Sequence, residues 1–294
     1  MKYGLVLEGG AMRGMYTAGA LDALAEHNVA FDYCIGVSAG ACNGVSFVSG
    51  QTGRNLRINQ NYIEDRRYLG VGNFLRTKSM FGMDFIFDEI PNRLDPFDYA
   101  AFQTSPMAFV AGVTDVETGL PVYFDKSLMG EDNRILRASS AIPVFSPMVE
   151  IGGRFYLDGG TSDPIPVHRA LEEGCDQVVV VLTRERGFHK NPEGFRRLYH
   201  RMLRRYPKMI DTLDRRHEIY NETLDDLMKL EQQGVAVVIA PETSLGVGRF
   251  EKSREKLKEI YLRGFADLES RLTDILDMRE LAEKEEEQNT ALMQ

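Results

Sequence analysis

The sequence predicts an α/β fold, with a mostly parallel central sheet covered by helices on both faces. Three observations carry this. Short apolar runs alternate with helical patterns over the first two-thirds of the chain. The run Gln177-Val178-Val179-Val180-Val181-Leu182 is apolar almost throughout, as strands buried on both faces are. No Pro/Gly/Ser-rich linker and no internal repeat divides the 294 residues, which favours one domain.

Residues 3–8 (YGLVLE) read as a short buried strand, and 14–27 as a helix with Ala18, Leu21, Leu24 and Ala25 near one face. Residues 31–36 form a second strand. Residues 38–49, small and apolar, suit a buried helix whose backbone packs closely. Strands at 107–113 and 120–124 are joined by the turn Glu117-Thr118-Gly119. A short helix at 131–139, a strand at 153–158, a helix at 166–173 and strands at 177–182 and 235–240 follow. Residues 54–102 are rich in aromatics and Met and lack a clear period. Residues 195–231 and 250–287 are helical and highly charged. A single domain over 1–294 is therefore expected, with an α/β core over about 1–240 and C-terminal helices over about 241–294. The end, Leu281-Ala282-Glu283-Lys284-Glu285-Glu286-Glu287, reads as a solvated helix fraying into a tail.

Composition bounds the function. The chain is 43% hydrophobic and 27% charged, ordinary for a globular protein that buries a core without staples. A net charge of -9 argues against a general nucleic-acid binder, which needs a basic face. Cys34, Cys42 and Cys175 have no metal-ligand spacing and suggest no disulfide framework, so a reducing, cytoplasmic setting fits best. The apolar run at the N-terminus is too short for a signal peptide, and no run reaches the roughly 18 apolar residues of a membrane span.

Two glycine motifs carry the chemistry. Gly36-Val37-Ser38-Ala39-Gly40 lies between the second strand and a small-residue helix. There a G-x-S-x-G turn exposes the serine hydroxyl at the strand's C-terminal end, with a helix N-terminus aimed at it. Alone, the pattern is weak and equally suits a decorated turn. Glu8-Gly9-Gly10-Ala11-Met12-Arg13-Gly14 follows the first strand and opens another helix. As a phosphate cradle, which would make the protein a nucleotide binder, it fails the known patterns, because G-K-[ST] is absent and the glycines fall at 9, 10 and 14. It suits an oxyanion hole, since consecutive strands of such a sheet lie side by side.

The base is less obvious. Ser38, Asp158 and His168 run in the α/β-hydrolase order, but Ser38 comes too early for that fold. His168 also shares the polar side of its helix with Arg169, opposite Val167, Ala170 and Leu171. His27, His189, His200 and His217 sit among polar neighbours. Asp158 ends a strand in Phe155-Tyr156-Leu157-Asp158-Gly159-Gly160, where active-site residues of open α/β sheets gather. It can act as a base if desolvation raises its pKa, and otherwise it is a turn aspartate.

Taken together, Gly9-Gly10-Ala11-Met12-Arg13-Gly14, Gly36-Val37-Ser38-Ala39-Gly40 and Asp158-Gly159-Gly160 resemble the three ordered signatures of patatin-like phospholipases. Ser139-Ser140-Ala141-Ile142-Pro143 resembles that family's Ser-x-Ala-x-Pro segment, and the resemblance covers about residues 3–240. It implies a three-layer α/β/α fold and a Ser–Asp dyad without histidine, with Ser38 as nucleophile and Asp158 as base. It implies an oxyanion hole from the backbone of Gly9, Gly10 and Ala11, with Arg13 and Gly14 completing the loop. Gly36 and Gly40 then form the nucleophile elbow, and Gly159 and Gly160 the loop after the base. It implies hydrolysis of a lipid or acyl ester with no cofactor and no metal. The alternative is a catalytically silent lipid-binding or regulatory protein of the same fold. One departure stands out: Ala11 occupies a position where many members carry a third glycine. Positive φ is expected to fall only on Gly9 or Gly10, leaving Ala11 unstrained.

Two segments have a plain and a sharper reading. Phe74, Leu75, Met80, Phe81, Met83, Phe85, Ile86 and Phe87 suit core packing, or else an adaptable wall for an acyl chain. Residues 195–217 carry Arg196, Arg197, Arg201, Arg204, Arg205, Lys208, Arg215 and Arg216 over Leu198, Met202 and Tyr206. That pattern suits a solvated helix paired with the acidic C-terminal segment, or else peripheral contact with an anionic membrane.

Overall fold

The computed structural model describes residues 1–279, so the expected tail helix at 281–287 lies outside the described residues. The chain opens β1 (Tyr3–Leu7), α1 (Gly14–Glu26), β2 (Tyr33–Val37), α2 (Ala39–Val48). Next come α3 (Arg54–Tyr62), α4 (Val71–Thr77), a π-helical stretch (Phe85–Leu94) and α5 (Tyr99–Thr104). β3 (Ala108–Asp115), β4 (Pro121–Asp125), α6 (Arg134–Ser139), β5 (Val149–Ile151) and β6 (Arg154–Asp158) follow. The rest is α7 (Val167–Glu172), β7 (Gln177–Val181), α8 (Arg196–Met202), α9 (Pro207–Gln232), β8 (Ala236–Ile239) and α10 (Arg254–Ser270).

The strands form one sheet in the order β5-β6-β3-β2-β1-β7-β8, with β4 on β3 off that path. The stretch β3-β2-β1-β7-β8 is parallel, as the unbroken apolar runs require. Period-two alternation divides these runs between two cores. Leu5, Leu7, Val179 and Val181 face α1, α2 and α10, while Val6, Val178 and Val180 face α7 and α9. Each side chain is fully buried, worth roughly 1.5–3 kcal/mol apiece, so both helical layers are held by the same strands. The fold is thus the three-layer α/β/α expected, with helices at the C-terminal end.

The strand pairing does one thing that no local pattern shows. Ala111 pairs with Gly36 of β2 and Phe124 of β4, so β2 and β4 lie on opposite edges of β3. Val113 pairs with Val122 of β4 and Asp158 of β6, so β6 lies on the β2 edge. β2 therefore runs up that edge and β6, antiparallel, runs down it, and their C-terminal ends meet. Ser38 follows the end of one and Asp158 ends the other.

The C-terminal helix is tightly seated. A Cβ on Gly19 of α1 would overlap the Tyr261 carbonyl, and one on Gly264 of α10 the Tyr16 carbonyl, so the two backbones touch. Tyr16 donates to Asp267 and Tyr261 to Asp22, both at 2.8 Å. Residues 54–102, without a clear period in the sequence, are largely helical. Their helices are short, α3 is polar over most of its surface, and the π-helical stretch carries Pro91, all of which blur a 3.6-residue signal.

Candidate active site

Ser38 sits at the turn from β2 into α2 with φ 53° and ψ −124°. Such a conformation costs a non-glycine residue about 1–3 kcal/mol and persists only where its surroundings enforce it. Three contacts do so. A Cβ on Gly36 would lie 2.6 Å from the Gly40 carbonyl carbon, and one on Gly40 would overlap the Leu7 carbonyl, so the turn tolerates only glycine at both places. The Ser38 amide donates to Ser139 Oγ at 2.8 Å, and that hydroxyl donates onward to the Gly112 carbonyl at 2.7 Å.

Ser38 Oγ donates to Asp158 Oδ2 at 2.7 Å, and both residues are buried. The other carboxylate oxygen accepts the Gly160 amide at 2.8 Å, and the Asp158 amide donates to the Ala141 carbonyl at 2.9 Å. A Cβ on Gly159 would overlap the Gly112 carbonyl, which explains the small residue after the aspartate. Burial pushes the Asp158 carboxyl above the usual carboxylate range, against the Ser38 hydroxyl, Arg216 and the Gly160 amide, which all favour the ion.

Around the loop after β1, the structure corrects three expectations. Ala11 itself has positive φ, 48°, whereas Gly10 has φ −158° and ψ 3°. The turn that starts the short helix at Ala11–Arg13 imposes this, and alanine bears a strain of about 1 kcal/mol there. Gly9 contributes no spare donor, because its N–H goes to the Pro164 carbonyl at 3.3 Å. Its part is steric: a Cβ there would come within 3.3 Å of Ser38 Cβ. Gly14 likewise spends its N–H on the Ala11 and Met12 carbonyls, and its missing side chain lets Ala39 of α2 approach. The amides of Gly10 and Ala11 have no acceptor among the described residues, and both residues line the cleft with Ser38. Arg13 is buried in the same cleft with its Nε unpartnered.

No histidine joins this group. His168 faces Asp226 at 3.4 Å on the surface, and His200 faces Asp214. His27 faces Glu269, and His189 contacts Asn221. His217 is half-buried with its Nδ1 unpartnered, and it lines neither cleft at Ser38.

Two clefts meet at Ser38. One, about 1100 Å³ including its mouth, has an apolar wall that includes Met15, Tyr68, Phe81, Ile86 and Leu136. The aromatic segment of residues 54–102 thus supplies this wall as well as core packing. The other, about 850 Å³, is lined by charged residues that sequence reasoning missed: Arg184, Lys190, Glu193, Arg216 and Arg249. Arg216 and Tyr220 come from α9, so one side of this charged helix turns to the cleft. Arg216 Nε donates to the Gly160 carbonyl at 2.6 Å, and Tyr220 donates to Glu8 at 2.8 Å. The one available signal for Ser139 was the Ser-x-Ala-x-Pro segment; the charged side chains had none, because they arrive from distant elements.

The fold and this site define a class, and comparison with known proteins agrees with it. The patatin-like phospholipase family model matches residues 5–171, more than half of the chain, and the chain belongs to that family. A domain of unknown function (DUF6363) matches residues 206–280. The chain is 34% identical over 203 residues to the uncharacterised protein YjjU of Escherichia coli, covering 66% of this chain and 55% of that protein. It is 26% identical over 184 residues to lysophospholipase NTE1 of Cryptococcus neoformans, covering 60% of this chain and 11% of that protein. It is 25% identical over 177 residues to an uncharacterised NTE family protein of Mycobacterium bovis, covering 60% of this chain and 48% of that protein. The chain therefore spans about half the length of two of these relatives and about a tenth of the third. VipD from Legionella pneumophila, a solved structure, is similar with a TM-score of 0.46 at 12% identity, covering 92% of this chain and 67% of that one.

Proposed function

We propose that this protein is a serine acyl hydrolase of lipid carboxylic esters that works through a Ser38–Asp158 dyad. The observation that carries the reading is the 2.7 Å bond from Ser38 Oγ to Asp158 at the mouth of an apolar cleft. Asp158 Oδ2 takes the hydroxyl proton as Ser38 Oγ attacks the ester carbonyl carbon. The amides of Gly10 and Ala11 receive the developing oxyanion, where one donor is typically worth about 3–4 kcal/mol. Collapse breaks the bond to the alcohol oxygen, which leaves with the proton held by Asp158. Water then attacks the acyl-enzyme, again giving its proton to Asp158, and the fatty acid departs as Ser38 recovers its own. The rise in Asp158 pKa supports the role, because an ordinary carboxylate near 3.9 is a poor base.

The described residues act as one domain in this reading, because α9 and Arg249 share the cleft with Ser38. No described helix is long and apolar enough to cross a membrane. Contact with lipid is instead peripheral, through α8, where Leu198 and Met202 face solvent rather than lying beneath the arginines. Arg197, Arg201, Arg204 and Arg205 surround them, exposed, and complement an anionic bilayer. The plainer expectation, pairing with the acidic C-terminal segment, involves residues outside the described ones.

Hydrolysis of a p-nitrophenyl ester tests the dyad. Ser38→Ala and Asp158→Asn each abolish turnover, and a fluorophosphonate labels Ser38 alone. His168→Ala keeps most of the activity. A folded wild type that neither turns over nor labels belongs to the silent lipid-binding class instead.

A further inference from the structure

Helix α9 touches both loops that flank Ser38. Its Arg216 Nε donates to the Gly160 carbonyl at 2.6 Å, and the Gly160 amide donates to Asp158 at 2.8 Å. Glu193 steadies the same guanidinium in a short contact. One turn further along α9, Tyr220 donates to Glu8 Oε1 at 2.8 Å. Glu8 Oε2 accepts the Thr183 amide and, at 3.1 Å, the Thr183 hydroxyl. Thr183 lies against Gly10, where a Cβ would come 2.6 Å from its hydroxyl oxygen. A path therefore runs from Tyr220 through Glu8 and Thr183 to Gly10, whose amide has no acceptor among the described residues. Residues four apart on a helix share a face, so Arg216 and Tyr220 reach the two loops from one side of α9.

The seating of α9 fits it to hold those loops at a fixed separation. Met209 and Leu213 pack with Ala141 and with Leu157 of β6. Tyr220 and Leu227 pack with Val6 of β1 and Val180 of β7. The helix thus crosses from the strand that ends in Asp158 to the strand that precedes the glycine loop. Phe188 meets the Tyr220 ring edge-on at 5.9 Å, and Glu8, Thr183 and Tyr220 are all buried. A hydroxyl bonded to a carboxylate in such surroundings is strong and has no ready substitute. The two loops also meet directly, through the Gly9 amide and the Pro164 carbonyl at 3.3 Å. That bond fixes Gly9, not the amides of Gly10 and Ala11.

We infer that α9 is a strut that sets the oxyanion donors against the dyad, with Tyr220 and Glu8 as positioning residues for the Gly10 and Ala11 amides and Arg216 as the positioning residue for Asp158. The segment that matches a domain of unknown function, residues 206–280, then belongs to the catalytic unit. It supplies no reacting group and holds two sets of them in place. This rests on the hydrolase reading above. Geometry is what the strut protects, since a misplacement of about 1 Å can cost about 100-fold in rate.

Tyr220→Phe removes the hydroxyl and keeps the ring. Its kcat on a p-nitrophenyl ester should fall by about tenfold or more, with KM nearly unchanged. Affinity for an aliphatic trifluoromethyl ketone, whose adduct with Ser38 puts an oxyanion at the Gly10 and Ala11 amides, should fall by a similar factor. A merely structural role would lower Tm and leave both unchanged in the folded protein. Tyr220→Phe combined with Glu8→Gln should cost little more than the larger single effect, because both cut one path. For Arg216→Gln the readout is the acid limb of kcat/KM, which should move to higher pH. Arg215→Gln, on an exposed arginine paired with Glu218, should leave kcat and ketone affinity unchanged. A folded Tyr220→Phe variant with wild-type kcat and ketone affinity would overturn the proposal. So would a fall in kcat with ketone affinity intact, or losses that multiply in the double variant. If the wild type cleaves no ester and binds no ketone, the hydrolase reading falls by itself, and hydrogen exchange followed by mass spectrometry reads the strut. Faster exchange over residues 8–14 in folded Tyr220→Phe would then sustain it, and unchanged exchange there would end it.

Discussion

Ser139→Ala should damage this protein twice, once in stability and once in turnover, although Ser139 lies outside the dyad. Its hydroxyl is fully buried and accepts the Ser38 amide at 2.8 Å while donating to the Gly112 carbonyl at 2.7 Å. Alanine fills nearly the same volume, so no cavity enters the accounting. The Ser38 amide is left buried without an acceptor, at about 1–3 kcal/mol, and the carbonyl loses one donor, at about 1 kcal/mol. The sum is about 2–4 kcal/mol, which lowers Tm by roughly 3–7 °C in a chain of this size. The second effect follows from the backbone. Ser38 is held at φ 53°, a strained value, and this amide is one of its tethers. A looser elbow moves Oγ relative to Asp158 and the Gly10 and Ala11 amides, so kcat on a p-nitrophenyl ester should fall by about tenfold or more. Urea unfolding and steady-state kinetics on the same preparation read both effects. Stability within about 0.5 kcal/mol of wild type together with unchanged kcat would refute the tether.

Four further outcomes are expected. The acid limb of kcat/KM should lie above the ordinary carboxylate value of about 3.9, because Asp158 must be ionised to act and burial raises its pKa. Arg216→Gln should move that limb to still higher pH, since Arg216 favours the ionised form; a limb that stays put would detach Arg216 from the dyad. Ala11→Gly relieves about 1 kcal/mol of left-handed strain but adds about 0.4–1 kcal/mol of unfolded-state entropy, so stability should change by less than about 0.5 kcal/mol with kcat nearly unchanged. A large gain in kcat would mean that the strain distorts the loop. Gly264→Ala should destabilise by several kcal/mol, because its methyl overlaps the Tyr16 carbonyl and forces α10 off α1; a thermal melt unchanged from wild type would show that this crossing is not tight.

Much of the architecture is legible in the chain because its signals are local. The run of valines in β7 can only be a strand covered on both faces, and the glycines at 36 and 40 announce a turn too crowded for any Cβ. Asp158 could be preferred over five histidines by its place at a strand end and by the surface patterns around the others. The tertiary structure alone decided the rest. Only the two-sided pairing of β3 brings the ends of β2 and β6 together, because register along an edge is a long-range property that neither strand encodes by itself. Only the packing of the loop after β1 settled that Ala11, and not its glycines, takes positive φ, and that the Gly9 amide is already spent. The same holds for the cations. Arg184, Arg216 and Arg249 are scattered along the sequence like any surface arginines, and their convergence on Ser38 depends on where α9 and the segment before α10 dock. Charge has no period, so a charged site built from distant elements becomes visible only when the chain is folded.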